Sequence, residues 1–567
     1  MRKQVVLSLL FTVYYCSTFS QPVPVEWINQ TGGSGAVIGR FVYSDLFGNV
    51  YTCGNYSGQI DLDPGSADLY AVSNGDEDLF IQKFDGSGNL LWALSLGGEG
   101  EDRAACISTD YSGNILVTGF FADSVNFDPS IPANYTVAAG DRDIFVLKLD
   151  EDGNFMFVKT MGGTTGSAEG TSIVTDESDA IYITGYFLGS VDFDPGISTS
   201  FLTPSYGSDI FILKLDASGE LVWVKQPAGT TDEKGLSIAL DSNNDILITG
   251  NLGNNGSCDF DPGPGSQIYT ASGGNAGFLL KLDNDGIFIW AKSLDCSIAS
   301  HPYSLTIDSN NSTIVTGYFS GTLYNQPGSS IAHLPATGPQ NGFVQKFDTN
   351  GNLVWMKKIA GTGAITLYSV SVGPSDAIYL TGSFYNTIDF DPGVAENNYT
   401  TTEGCDVFVE KLNQDGEFDW VQTVGVWDYN LASFAGATNE AGELFLLSIF
   451  RDTVSSNPLL GPDFIADGST DMLLLKFNAA LSVEDENINT GNISVYPNPT
   501  NQTIYIDLSL QTGITIVSIY DVAGNLLLST ATVSSIFSAD ISAFSRGIYL
   551  INIKSENADE IFKITKI

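Results

Sequence analysis

Apolar and polar residues alternate along this chain in short runs, and the runs recur. One segment reads "DLFIQKFDGSGNLLW" from Asp78, "DIFVLKLDEDGNFMF" from Asp143 and "DIFILKLDASGELVW" from Asp209. It returns as "GFLLKLDNDGIFIW" from Gly277, "GFVQKFDTNGNLVW" from Gly342 and "DVFVEKLNQDGEFDW" from Asp406. A seventh copy, "DMLLLKFN" from Asp471, stops before its aromatic residue. The runs are rich in β-branched and aromatic residues and bounded by Gly, Asp or Asn, so they predict strands. Lys83, Lys148, Lys214, Lys281, Lys346, Lys411 and Lys476 mark a period of about 65 residues.

Each period predicts four strands. Strand A is exemplified by "AACISTD" from Ala104, B by "NILVTGFF" from Asn114, C by "DIFVLKLD" and D by "NLLWALSL" from Asn89. The A–B and C–D links, such as "DYSGN" and "DEDGN", read as tight hairpin turns. "DEDGN" also resembles the start of an EF-hand loop, but the twelfth position from Asp150 is Met161, not glutamate. The aromatic of strand D is Trp92, Phe157, Trp223, Trp290, Trp355 or Trp420, and the seventh copy lacks one. "VEWINQTGG" supplies it, because Trp27 lies 65 residues before Trp92. This permutation predicts an all-β chain whose residues 21–481 form a seven-bladed β-propeller closed by the N-terminal strand.

The pattern "GNIyvTGyF…DiFilKlD.dGnllW" resembles the bacterial seven-bladed β-propeller repeats called SBBP repeats, over roughly residues 25–480. The resemblance implies a propeller and export, and does not imply one activity. After an acidic, linker-like stretch at 482–492, residues 493–567 alternate again in "TIYIDLSL", "ITIVSIYD" and "GIYLINIK". Some seven short strands in about 75 residues predict a small Ig-like β-sandwich. This module resembles the type A C-terminal sorting domain of type IX secretion cargo in Bacteroidota. The matching residues are "YPNP" (Tyr496, Pro497, Asn498, Pro499), "IYDVAGNLL" with Gly524, "RGIYLINI" with Gly547 and Tyr549, and the terminal "KITKI" with Lys566. The resemblance implies the type IX machinery as a partner, passage across the outer membrane, and removal of the domain with release or surface attachment.

Composition agrees with an exported chain. The start, "MRKQVVLSLLFTVYYCSTFSQ", has a charged n-region, an apolar core and small residues, so residues 1–20 read as a signal peptide. No other segment reads as a membrane span. A formal net charge of −43 repels phosphate backbones, so nucleic acid is not expected as a partner. Cys53, Cys106, Cys258, Cys296 and Cys405 are odd in number and form no CxxC pair. They read as buried thiols with room for one bridge. His301 and His333 read as loop or surface residues, and no catalytic motif accompanies them.

One further motif repeats: "QIDLDPG" at Gln59, "SVNFDPS" at Ser124, "SVDFDPG" at Ser190, "SCDFDPG" at Ser257 and "TIDFDPG" at Thr387. It falls in a B–C connection of roughly twenty residues, on the face shared with the D–A links. The pairs Asp61 with Asp63, Asp192 with Asp194, Asp259 with Asp261 and Asp389 with Asp391 are the candidate metal ligands, with calcium as the cofactor they would hold. The structural reading, which we favour, is an Asp-Pro-Gly turn whose side chains cap backbone N–H groups or meet the repeat lysine. The functional expectation is a secreted or cell-surface monomer binding an extracellular protein or glycan, without catalytic residues. The alternatives are a carbohydrate-active enzyme using carboxylates on the propeller face, and a passive structural surface protein.

Overall fold

The computed structural model describes residues 25–477, apart from 325–332, 426–432, 440, 452 and 455–463. In the C-terminal region it describes 494–496, 503–507, 515–521, 526–532, 536–542, 544, 547–554 and 559–566. The chain divides into two compact units, Met1–Leu481 and Ser482–Ile567.

Within the first unit the described residues form seven four-stranded antiparallel sheets, one per period, which we call units I to VII. Unit II is typical. Arg103–Thr109 (A), Ile115–Phe121 (B), Asp143–Leu149 (C) and Phe155–Met161 (D) pair in that order. In unit VII the A, B and C strands are Ser433–Thr438, Leu444–Phe450 and Asp471–Phe477. Its fourth strand is Val25–Gly33, with Trp27 opposite Lys476. The A strands are innermost. Each packs against the A strand of the next unit, and that of unit VII packs against Val37–Ser44 of unit I.

The core lies between successive sheets. One cluster unites Cys53, Leu79 and Ile81 of unit I with Ile115, Val117, Phe145 and Leu147 of unit II. Burying one such side chain contributes about 1.5–3 kcal/mol, so each interface is held mainly by apolar contact. Polar latches set its register. Trp92 Nε1 donates to Glu151 O at 3.1 Å, in the C–D turn of the next unit, and Lys83 Nζ donates to the same carbonyl at 2.8 Å. Trp27 Nε1 and Lys476 Nζ likewise both donate to Gly86 O, at 3.2 and 2.9 Å. The turn is shaped to receive the indole. Gly153 has φ +82°, and a Cβ there would stand 2.9 Å from the Trp92 ring. The aromatics of strand D are therefore packing residues.

The repeat lysine is a buried hub. Lys148 pairs with Asp110 at 2.7 Å, Lys281 with Asp241 at 2.8 Å and Lys346 with Asp308 at 2.8 Å, each carboxylate opening its own A–B turn. Unit VII has Asn439 at that position, and Lys476 turns to Glu443 instead, at 2.6 Å. The expected alternative of a lysine meeting the Asp-Pro-Gly loop does not occur. The lysine is the sixth residue of strand C and lies at its C–D end, whereas the loop precedes the strand's other end. In the "DEDGN" turn, Asp150 Oδ1 accepts the backbone N–H groups of Asp152 and Asn154 at 3.0 and 2.8 Å, which fixes a hairpin.

The five cysteines Cys53, Cys106, Cys258, Cys296 and Cys405 are buried and free, so the one bridge allowed for is not formed. Burial raises the pKa of each thiol. In the second unit, Ser494–Tyr496, Thr503–Asp507 and Ile536–Asp540 form one sheet, and Thr515–Asp521, Leu526–Thr532, Gly547–Lys554 and Asp559–Lys566 another. Ile504 and Ile506 of the first share a core with Val517, Ile519, Ile551 and Ile553 of the second.

Candidate functional site

The B–C connection is not a bare loop. It carries a small ribbon, Val191–Asp192 paired with Phe201–Leu202 in unit III, and the end of the preceding unit's strand D joins it. Asp192 N donates to Gly162 O at 2.8 Å, and Gly32 and Gly33 pair with Asp61 and Ile60 in the same way. The B–C and D–A connections thus meet at one end of the sheets.

The four complete Asp-Pro-Gly motifs have one geometry. Asp192 Oδ1 accepts the backbone N–H of Asp194 at 3.1 Å and of Ser200 at 2.7 Å. Asp61, Asp259 and Asp389 do the same for Asp63 and Leu69, Asp261 and Gln267, and Asp391 and Asn397. The second carboxylate closes the turn: Asp63, Asp194, Asp261 and Asp391 accept from Gly65, Gly196, Gly263 and Gly393 at 2.7–2.8 Å. The intervening apolar residue is buried. Phe193 stands edge-on to Phe187, with ring centroids 5.2 Å apart. In unit II an amide replaces the first carboxylate, and Asn126 Oδ1 still accepts from Asp128 N at 3.1 Å. Among the described residues, no three His, Cys, Asp or Glu side chains converge where they could hold a metal ion.

A different set of residues gathers on the inner rim of this end, from positions where the repeats disagree. Arg40 is the bulged residue of strand A in unit I. Its Nε donates to Asn55 Oδ1 at 3.0 Å, and Asn55 Nδ2 donates to Glu77 Oε2 at 2.5 Å. Burial, with the like charge of Arg103, pushes the Arg40 pKa down to about 10. Glu101 bridges two guanidinium groups, Arg103 at 2.6 Å and Arg142. Both lie over the buried Phe120 ring, 5.0 and 4.3 Å from its centroid. Arg103 Nε is buried and meets no acceptor. Beyond them, Tyr186 donates to Glu169 at 2.6 Å, and Lys234 Nζ stands 4.1 Å over the Tyr186 ring.

The rim changes character at units V and VI. The ring of His301 stacks on Tyr318 with centroids 4.8 Å apart, and Tyr303 lies 5.9 Å from Tyr318 and 5.2 Å from Tyr368. Burial lowers the His301 pKa and raises those of all three tyrosines, so the cluster is neutral at pH 7. His301 lies in strand A of unit V, and His333 lies in the ribbon strand His333–Pro335. Both were expected as loop or surface residues. The short apolar spacing around each is that of a strand, and only His333 is exposed. At the opposite end of the sheets a cavity of 440 Å³ is lined by Asp45, Val372, Pro374, Asp376 and Asn439 among others. Its carboxylates are engaged: Asp45 by Asn49 and Tyr51, Asp376 by Ser309.

Of the sorting-motif residues, Pro497, Asn498, Pro499 and Gly524 lie outside the described residues. Tyr496 ends a strand and pairs with Tyr505. Gly547 and Lys566 are cross-strand partners, and Tyr549 is buried against Phe544 with ring centroids 5.2 Å apart.

Residues 494–566 match the family described as the secretion system C-terminal sorting domain. The chain thus carries a type IX sorting tail, which marks it for secretion or the cell surface. The chain is 23% identical over 440 residues to an uncharacterized WD repeat-containing protein of Acanthamoeba polyphaga mimivirus, covering 64% of this chain and 31% of that one. It is 22% identical over 413 residues to the regulatory protein FlaEY of Caulobacter vibrioides, covering 66% and 39%. The chain spans about a third of the length of these curated relatives. Among solved structures, the Neurospora crassa Pan2 WD40 domain aligns over 79% of this chain and 96% of its own, at 10% identity and a TM-score of 0.37. Among the described residues no helix is long and apolar enough to cross a membrane.

Proposed function

We propose that this is an exported binding protein: a seven-bladed β-propeller closed by its N-terminal strand, followed by an Ig-like sandwich that serves as the sorting domain. The signal peptide directs the chain to the periplasm of a Bacteroidota-type cell, and the type IX machinery carries it outward. The propeller then presents its B–C end to an extracellular protein or glycan, without catalysing a reaction. The observation that carries this reading is the inner rim. The sheets repeat one framework, while Arg40, Arg103, Glu169, Lys234, His301 and Tyr368 vary the side chain at the same end across units I to VI, with arginine in the first two. A framework of identical copies with individual tips is suited to recognition.

The Asp-Pro-Gly loops are read as supports of that end. Each first carboxylate oxygen already caps two N–H groups, and Asn126 fills the same place without a charge. The test is a glycan and protein binding screen with the mature chain, run with and without millimolar calcium. Saturable binding that is unchanged by calcium is the expected result. Turnover of a bound polysaccharide would replace this reading with the enzymatic one, and calcium-dependent binding would make the loops metal sites.

A further inference from the structure

The sequence contains six arginines, and four of them, Arg40, Arg103, Arg142 and Arg451, belong to the repeats. All four lie at the B–C end. Arg40 and Arg103 are in the first half of strand A, Arg142 immediately precedes strand C, and Arg451 immediately follows strand B, where its Nε donates to Thr470 Oγ1 at 3.3 Å. The linked side chains of the rim comprise the cations Arg40, Arg103, Arg142 and Lys234 and the carboxylates Glu77, Glu101 and Glu169. The balance here favours positive charge, in a chain where 66 Asp and Glu outnumber 23 Lys and Arg.

Sheet packing does not require these arginines. Positions equivalent to Arg103 in the register of strands A and B are Glu169, Lys234, His301 and Thr366, facing Tyr186, Asn251, Tyr318 and Ser383. The bulged position of Arg40 is Thr171 in unit III and Tyr303 in unit V. The same sheets form with each of these residues. What the arginines share is the chemistry of guanidinium groups, which bind carboxylate and sulfate oxygens through paired N–H donors. Glu101 occupies part of that capacity, and the Phe120 ring beneath holds both heads in place.

We propose that the rim binds an acidic oligosaccharide, its anionic groups held by Arg40, Arg103 and Arg142 and its sugar rings met by Tyr303, Tyr318 and Tyr368. This rests on the reading of the protein as an extracellular binder, and names the ligand class. A sugar fits better than an acidic peptide. The second sector offers phenol and imidazole faces beside the Asn275 and Gln340 amides, which suit ring stacking and hydroxyl hydrogen bonds.

The test is calorimetric titration of the mature chain with oligogalacturonate, a sulfated dextran oligomer, a neutral cello-oligosaccharide and oligoglutamate. Binding of an acidic sugar at least tenfold tighter than the neutral one, weakening as salt rises, is expected. Oligogalacturonate and the sulfated oligomer separate carboxylate from sulfate as the anionic group. The double variant Arg103→Gln, Arg142→Gln should lose tenfold or more, with an unchanged Tm confirming its fold. Glu101→Gln should bind severalfold tighter, because it releases both guanidinium groups from their internal carboxylate. Lys159→Gln, on an exposed strand-D ion pair, should bind as wild type. A merely structural cluster predicts the opposite for Glu101→Gln, namely equal or weaker binding, and that result overturns the proposal. So does a preference for oligoglutamate. Tight binding of the neutral sugar that ignores the arginine variants also overturns it, while leaving the binding reading intact. Silence from all four ligands overturns this proposal, and the binding reading then stands or falls on the broader screen.

Discussion

The two ends of the sheets carry their cations differently. At the C–D end every unit has a lysine in the same place, buried except for the half-buried Lys214, and tied to a turn or a carboxylate. At the B–C end cations appear in some units and not in others, and aromatic or acidic residues take their places elsewhere. The first arrangement solves a problem that every interface shares, and so it recurs with the period. The second solves nothing that the sheets share, and so it is free to differ. Under the proposed function, stability and recognition fall at opposite ends of the same strands.

Replacing a cation at each end breaks this comparison most directly. Lys148→Met strands the buried Asp110 carboxylate and removes an inter-unit latch to Ala217 O, so it should cost about 3–5 kcal/mol in chemical denaturation. Arg103→Gln at the other end, partly buried, paired with Glu101 and with its Nε already lacking an acceptor, should cost less than about 1 kcal/mol. Equal losses would erase the distinction drawn here.

A smaller effect should come from the loops beneath the rim. Asp192→Ala removes the acceptor for two backbone N–H groups and should destabilise by about 1–2 kcal/mol. Asp192→Asn keeps the acceptor for Asp194 N, as Asn126 does for Asp128 N, and should stay within about 0.5 kcal/mol of wild type in the same measurement. A large loss on Asp192→Asn would mean that the charge itself matters.

The pH dependence separates the ends in a third way. Asp102, fully buried beneath the rim, accepts from Gly98 N at 2.8 Å and Ala122 N at 3.1 Å, and burial pushes its pKa up to about 8. Asp78 is pushed up to about 6 and Glu233 to about 7 by the same cause. A raised carboxyl pKa in the folded state contributes stability that is complete below the unfolded pKa, near 4, and is lost as pH rises through the folded value. Tm should therefore fall between pH 4 and pH 8, each proton contributing a slope of at most about 1.4 kcal/mol per pH unit. Asp102→Asn should flatten the upper part of that profile. An unaltered profile would assign the trend to relief of the net −43 charge.

Much of the framework was legible in the sequence because the same chemistry is needed at every interface. Lys148 and Trp92 stand at fixed spacing since each must reach one turn of the next unit, and a fixed reach leaves a fixed period. The Asp-Pro-Gly loops were legible as turns, since Asp, Pro and Gly each act locally. The ribbon's pairing with the preceding strand D was not, because Gly162 and Asp192 are brought together by packing of whole sheets. The arginine rim was also hidden. Arg40, Arg103 and Arg142 occupy three different positions of the repeat and share no spacing. Their scarcity was the available signal: four arginines in the repeats, each near the start of strand A, the end of B or the start of C.

The carbonyl of Gly86 has a consequence for how this protein comes into being. It receives Trp27 from the first strand and Lys476 from the last repeat, and those two residues also face each other across one sheet. Val25–Gly33 leaves a ribosome or a translocation pore before the rest of the array, and it must wait for almost all of it before Asp471–Phe477 can pair along its length. Its exposed edge needs protection throughout that interval, and contacts this distant in sequence form slowly. A fusion partner placed just before Val25 would sit on the seam at the moment of sealing.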